Sequence, residues 1–85
     1  MELYFHKGFK KQYRRLSQRN QRQFDERLEL FTQNPFDSLL NNHSLGGKYK
    51  NCRSINITGD LRAIYTTNKN LVIFLEIGTH SKLYD

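Results

Sequence analysis

The spacing of apolar residues changes near the middle of this chain, and the change restricts the fold more than any other feature. In the N-terminal half, apolar side chains recur at intervals of three and four, as in Phe9 and Tyr13, which is the period of a helix face. In the C-terminal half they recur at every second position, as in Leu61, Ala63 and Tyr65, which is the period of a half-buried strand. Helices followed by strands predict an α+β fold.

Two amphipathic segments in the N-terminal half predict a helix hairpin. Their apolar positions are Phe9, Tyr13, Leu16, Phe24, Leu28 and Phe31. Polar residues at Ser17–Asn20 interrupt the apolar face, and we predict the break of the hairpin there. This break contains neither Gly nor Pro, so a single bent helix is the alternative. The second helix is predicted to end at Asn34-Pro35, because proline disfavours helical geometry in the residue before it.

Turn sequences divide the C-terminal half into three consecutive antiparallel strands. The turns are Thr58-Gly59-Asp60 and Asn68-Lys69-Asn70, both rich in the residues that turns prefer. Leu3–Phe5 is predicted to add a strand at the N-terminus, and residues 36–47 to form an irregular connection held to the core by its leucines. The odd-numbered positions are predicted to form the apolar face under the helices: Ile55, Ile57, Leu61, Ala63, Tyr65, Leu71, Ile73, Leu75 and Ile77.

Positive charge is concentrated in the helical half. The 85 residues include 14 Lys and Arg against 8 Asp and Glu, a net charge of +6, and the whole excess lies in Lys7–Arg27. Such a run is either a solvated helix face or a surface that meets a polyanion or an acidic partner. At about half the length of a typical domain of ~150 residues, the chain is expected to form a single domain, 1–85.

Several classes of protein are disfavoured by the same sequence. The single cysteine, Cys52, allows no internal disulfide and no multi-cysteine metal site, and fits a reducing cytoplasm. The chain contains no apolar run of membrane-spanning length and does not begin like a signal peptide. We therefore expect no membrane association, no metal and no cofactor, and any enzyme of this size must have a minimal active site.

The side chains that could perform chemistry match the needs of metal-independent RNA cleavage. That reaction requires a base for the 2′-hydroxyl proton, an acid for the departing 5′-oxygen, and donors that hold the phosphate. The acid–base candidates are His80, His43 and Asp60, and the phosphate-binding candidates are Arg62 with Lys48 or Lys50. Tyr84 could donate a proton or stack on a base.

Structural roles for the same residues remain open at this point. His80 could be a surface residue, Asp60 a turn residue, and Tyr84 a cover for the core edge. Arg62 could pair with Glu76 across the sheet. Composition and spacing alone predict only a small basic α+β domain that binds RNA.

Three motifs in the C-terminal half resemble the RelE/ParE superfamily of bacterial toxins, and in particular its YafQ-like branch. The motifs are His43-Ser-Leu-Gly-Gly-Lys-Tyr-Lys50, Arg53-Ser-Ile-Asn-Ile-Thr-Gly-Asp-Leu-Arg-Ala-Ile-Tyr65 and Ile77-Gly-Thr-His-Ser-Lys-Leu-Tyr84. The resemblance implies a monomeric toxin of a type II toxin–antitoxin pair that cleaves mRNA on the ribosome without metal. It also implies a cognate antitoxin protein as a partner.

The resemblance assigns roles to individual residues. The implied catalytic residues are His80, His43, Asp60 and Tyr84, and the implied phosphate-binding residue is Arg62. Lys48, Lys50 and Lys82 are expected to bind RNA or phosphate beside Arg62, because the arginine that is usual before Gly-Thr-His is absent. The basic run, independently of the resemblance, predicts that Lys10, Lys11, Arg14 and Arg15 dock on rRNA or the antitoxin. The chain differs from the YafQ-like pattern at Asn56, Leu61 and Glu76, where histidine, an aromatic residue and arginine are usual.

Two further functions remain alternatives. One is a ParE-like toxin that inhibits DNA gyrase by binding, although such toxins do not need the histidine of Gly78-Thr79-His80. The other is a toxin homologue that has lost catalysis and only binds RNA or its antitoxin, as the changes at Asn56 and Glu76 would allow.

Overall fold

The computed structural model describes residues 1–84 and confirms the predicted α+β architecture. Its elements in chain order are β1 (Glu2–Phe5), α1 (Lys7–Arg14), α2 (Gln18–Gln33), β2 (His43–Ser44), β3 (Arg53–Asn56), β4 (Leu61–Asn68), β5 (Leu71–Thr79) and α3 (His80–Tyr84), with 3₁₀ turns at Ser38–Leu40 and Gly47–Tyr49. The strands form one sheet in the order β1-β5-β4-β3-β2. β1 pairs in parallel with β5, and the other neighbours are antiparallel. Within residues 1–84, no helix has the length and apolar character needed to cross a bilayer.

The helical half is a hairpin rather than one bent helix. α1 ends at Arg14, and the Ser17 hydroxyl accepts a hydrogen bond of 3.1 Å from the backbone N–H of Asn20. This is the N-cap interaction that starts a new helix, because the capping hydroxyl satisfies an N–H group that has no carbonyl partner. α2 ends at Gln33, directly before Asn34-Pro35, as predicted.

The core is an aromatic cluster between the two helices and the sheet, with Phe74 at its centre. The Phe74 side chain is fully buried. The centroids of five other rings lie 5.6 to 5.8 Å from its ring: those of Phe5, Phe9, Phe24, Phe31 and Tyr65. Offset and edge-on rings at such distances stabilise the core beyond the area that they bury.

A β-bulge makes the predicted apolar face wrong for the first part of β5, whereas Ile77, after the bulge, lies in the core as predicted. Tyr65 pairs with Phe74, but the preceding residue, Ile64, pairs with Glu76, so Leu75 has no partner on β4. The extra residue reverses the alternation of β5. The core therefore contains Val72 and Phe74. The residues predicted there, Leu71, Ile73 and Leu75, are only partly buried.

The connection at residues 36–47 is more ordered than predicted. Leu40 is fully buried, as expected, but Leu39 is 60% exposed and does not hold the segment to the core. The segment then forms β2, which pairs His43 with Ser54 of β3. This pairing fixes His43 on the sheet edge, beside the β3–β4 hairpin.

Candidate active site

Four of the predicted site residues line one open cleft on the sheet face that the two long helices leave uncovered. The cleft has a volume of about 340 Å³ and is lined by Asn41, His43, Leu45, Arg62, His80 and Tyr84. These residues come from β2 and the residues flanking it, from β4 and from α3. Arg62 reaches this face because its neighbour Ala63 points into the helix-covered core, and successive side chains of a strand alternate between faces.

The ring of His43 is oriented by the backbone two residues before it. Its Nδ1 lies 2.8 Å from the carbonyl oxygen of Asn41, so Nδ1 carries the proton and donates. In the neutral ring, Nε2 then presents its lone pair to the cleft, which is what a general base requires. Asn41 has φ of 44°, a left-handed conformation that asparagine tolerates better than most residues.

His80 is the first residue of α3, at the end of β5. Its backbone N–H donates a 3.0 Å hydrogen bond to the carbonyl oxygen of Asp60, and its ring centroid lies 4.7 Å from that of Tyr84. Asp60 therefore supports His80 through its main chain. The Asp60 side chain, predicted to be catalytic, is exposed on the turn and does not line the cleft.

Arg62 is a positioned cation. Its guanidinium donates to the carbonyl oxygens of Thr58, Leu61 and Gly59 at 2.9, 3.2 and 3.1 Å. A guanidinium has five N–H donors, so two N–H groups remain without partners among the described residues and can hold a phosphate oxygen. Among these residues, the hydrogen bonds of Arg62 go to the β3–β4 turn and not to Glu76, the pairing that the sequence had left open.

Tyr84 stands on a second tyrosine that the sequence analysis did not single out. The Tyr49 hydroxyl donates a 3.1 Å hydrogen bond to the carbonyl oxygen of Leu83, and the two tyrosine rings lie edge-on at 5.9 Å. Burial, followed by the Glu76 carboxylate, raises the pKa of Tyr49 well above its usual value. Tyr49 thus stays neutral and supports α3. The Tyr84 hydroxyl is buried and makes no hydrogen bond within residues 1–84.

The predicted lysines do not line this cleft. Lys48, Lys50 and Lys82 are all exposed, and the Lys48 ammonium lies 5.1 Å from the centroid of the Tyr49 ring. Lys50 lines a neighbouring cavity that also includes Arg53. Their proposed contacts with RNA would therefore be made outside the cleft.

The predicted docking residues lie with the helices, on the opposite face of the sheet from the cleft. Lys10, Lys11 and Arg14 are exposed on α1, and Arg15 follows as its C-cap. Lys10 and Arg14 also flank an apolar groove of about 390 Å³ between the two helices. The cleft and this basic surface can thus contact different partners.

The three departures from the YafQ-like pattern lie outside the lining of the cleft. Leu61 is a core residue, and Glu76 is half-buried near Tyr49. The side-chain oxygen of Asn56 is buried and has no hydrogen-bond partner among the described residues. None of the three lines the cleft, so its cation and its two imidazoles do not depend directly on them.

Cys52 provides a test of the electrostatics near Glu76. Burial, and secondarily the Glu76 carboxylate, raises the pKa of this thiol above its usual 9.0. Because only the thiolate reacts, we expect the pH profile of iodoacetamide alkylation to rise at higher pH in the folded protein than in urea. Cys52 is the only cysteine, so mass spectrometry reports this thiol alone. Coincident profiles would contradict the proposed environment.

Comparisons with known proteins give the chain a family. A family model described as a bacterial toxin of a type II toxin–antitoxin system, YafQ, matches residues 1–85. A search of curated protein sequences finds no match.

Solved structures share the fold over nearly the whole chain. YafQ from E. coli strain BL21(DE3) has a TM-score of 0.85 at 20% identity, with 99% of this chain and 98% of that chain covered. A YoeB/ParE toxin from Agrobacterium tumefaciens has a TM-score of 0.77 at 19% identity, with coverages of 94% and 99%. The E. coli DinJ–YafQ complex has a TM-score of 0.73 at 22% identity, with coverages of 99% and 98%. Because the family model matches residues 1–85, the whole chain, this protein belongs to the YafQ family of bacterial toxins from type II toxin–antitoxin systems.

Proposed function

We propose that this toxin is an endoribonuclease that cleaves mRNA on the ribosome by metal-independent acid–base catalysis. The observation that carries the proposal is the convergence of His43, His80 and Arg62 on one cleft from separate parts of the chain. A base, an acid and a phosphate-binding cation are the groups that attack by a 2′-hydroxyl requires. The cleft is open and shallow, which suits an RNA chain held in place by a larger assembly.

The geometry suggests a division of roles between the two histidines. His43 Nε2 takes the proton of the 2′-hydroxyl, whose oxygen attacks the adjacent phosphorus. The bond from phosphorus to the 5′-oxygen breaks, and the protonated His80 ring donates its proton to that oxygen. The products are a 2′,3′-cyclic phosphate and a 5′-hydroxyl, and Arg62 balances the charge that builds on the phosphoryl oxygens.

Tyr84 and the surface cations complete the proposed site. Tyr84 packs against His80 and limits the orientations of its ring, while its exposed part can stack on an unpaired base. Lys48, Lys50 and Lys82 are proposed to attract the RNA strand beyond the cleft, because exposed cations act at a distance on phosphates. Asp60 is proposed to position His80 through its carbonyl group.

An antitoxin protein and the ribosome are the proposed partners. The solved E. coli DinJ–YafQ structure is a toxin–antitoxin complex in which one chain shares the fold of this protein, and this supports an antitoxin partner for this chain. Lys10, Lys11, Arg14 and Arg15 are proposed to meet either rRNA or this antitoxin. A cluster of exposed cations attracts polyanionic rRNA and an acidic protein surface alike.

Analysis of the RNA products tests this function. Purified toxin is mixed with ribosomes that carry a defined mRNA, and the cleavage sites are mapped by primer extension. We expect discrete cuts with 2′,3′-cyclic phosphate ends, the product of attack by the 2′-hydroxyl. Intact mRNA in this assay, combined with loss of supercoiling activity in a DNA gyrase assay, would replace the proposal with the ParE-like function. Intact mRNA and active gyrase would indicate a toxin homologue without catalysis.

A further inference from the structure

A second cationic pocket lies across the β3–β4 turn from the cleft. It has a volume of about 310 Å³ and is lined by Arg19, Asn20, Gln23, Arg27, Ile57 and Thr58. None of these lining residues is acidic. Arg19 is exposed, and its guanidinium and the side-chain amides of Asn20 and Gln23 make no hydrogen bond within residues 1–84. The Arg27 side chain makes one long hydrogen bond, of 3.4 Å, from Nε to the carbonyl oxygen of Ile57.

The pocket and the cleft share one turn of the backbone. Arg62, which lines the cleft, donates to the carbonyl oxygen of Thr58, and Thr58 itself lines the pocket. Arg27 binds the same turn from the helix side, at Ile57. The two arginines thus hold the turn from opposite sides, and a chain of phosphates that crosses the turn passes from one cation to the other.

The residue types in the pocket fit a phosphate better than other anions. Two guanidinium groups can each present paired N–H donors, which match the oxygens of a phosphate. The amides of Asn20 and Gln23 add neutral donors. The pocket also opens beside the first turns of α2, where the helix dipole favours negative charge.

We propose that the Arg19–Arg27 pocket binds a backbone phosphate of the same RNA strand whose bond is cleaved at His43 and His80. This proposal rests on the proposed nuclease function and adds to it a site that sets where the strand lies. A strand that reaches both sites has its register fixed relative to the cleft.

Binding of RNA that cannot be cleaved tests this site independently of catalysis. Oligonucleotides with a single 2′-deoxy position at the cleavage site are lengthened stepwise at the 5′ end or the 3′ end, and fluorescence anisotropy measures the Kd. For the wild type we expect the Kd to fall as the strand lengthens in one direction until it spans both sites. Arg19→Gln with Arg27→Gln should remove that gain and weaken binding of the longest strand about tenfold, because two charge pairs are lost at a site that solvent partly screens.

The salt dependence gives a second readout. Each phosphate contact to a single strand contributes about 0.7 to the slope of log Kd against log salt, so the double variant, which loses the one phosphate bound in the pocket, should lose about 0.7. Arg22→Gln is the matched control, because Arg22 is exposed on the same helix and outside the pocket. It removes one charge, as Arg19→Gln or Arg27→Gln alone does, and should lower the slope by less than either of these single variants.

Several outcomes would overturn the proposal. These are equal Kd values and slopes for the double variant and the Arg22→Gln control, no dependence of the wild-type Kd on strand length, or no binding of the wild type. If a poly-glutamate peptide displaces the labelled RNA as well as unlabelled RNA does, the partner of the pocket is an acidic protein instead. If Arg27→Gln unfolds the protein, Arg19→Gln alone and Arg27→Lys carry the test. Because the oligonucleotides cannot be cleaved, their Kd and its length dependence do not depend on catalysis, so a failed nuclease function remains distinguishable from a failed phosphate site.

Discussion

Replacing His80 by alanine is expected to slow mRNA cleavage by about 10²- to 10⁴-fold, the usual contribution of a positioned acid or base. The variant loses the group proposed to protonate the departing 5′-oxygen, while Arg62 and His43 remain in the cleft. Single-turnover cleavage of ribosome-bound mRNA measures the rate directly.

A histidine outside the cleft supplies the matched control. His6 caps α1, and its Nδ1 accepts a 3.1 Å hydrogen bond from the backbone N–H of Gly8. His6→Asn removes an imidazole but keeps a good N-cap residue, so cleavage should proceed as in the wild type. A folded His80→Ala variant that cleaves as fast as His6→Asn would exclude His80 as the general acid.

The elements of the fold could be predicted from the sequence because their signals are local. A serine can cap a helix whatever its tertiary contacts are, and α2 begins directly after Ser17. The bulge at Leu75 is different, because it depends on how β5 matches β4. An alternating pattern of apolar residues looks the same with or without one inserted residue, since both faces of β5 carry apolar side chains. The assignment of Val72 and Phe74 to the core therefore required the structure.

The candidate site could be predicted as a set of residues but not as a geometry. His43, Arg62, His80 and Tyr84 meet in the cleft, yet the sequence also favoured Lys48 and Lys50, which follow His43 closely in the chain. The 3₁₀ turn at Gly47–Tyr49 directs these lysines elsewhere. The role of Asn41 was not predicted because it acts through a carbonyl group. Only its tolerance of left-handed geometry could have pointed to it.

Replacing Phe74 by alanine is expected to lower the free energy of unfolding by about 3–5 kcal/mol, the usual cost of removing a buried aromatic side chain. Phe74 is fully buried and joins β5 to rings from β1, from both long helices and from β4. Small domains have a total stability of only about 5–15 kcal/mol, so the variant is expected to be partly unfolded at 37 °C. Urea denaturation followed by circular dichroism measures the loss.

Phe36→Ala is the control for this prediction, because it removes the same side chain from the surface. Phe36 is 67% exposed, and its main neighbour is the Arg53 guanidinium, 5.3 Å from the ring centroid. An exposed cation–π contact contributes about 0.5–1 kcal/mol, so this variant should lose no more than that. The two variants remove the same side chain, so the difference between their losses in free energy of unfolding measures the effect of burial. Similar losses in both would mean that the ring cluster around Phe74 is not the centre of the core.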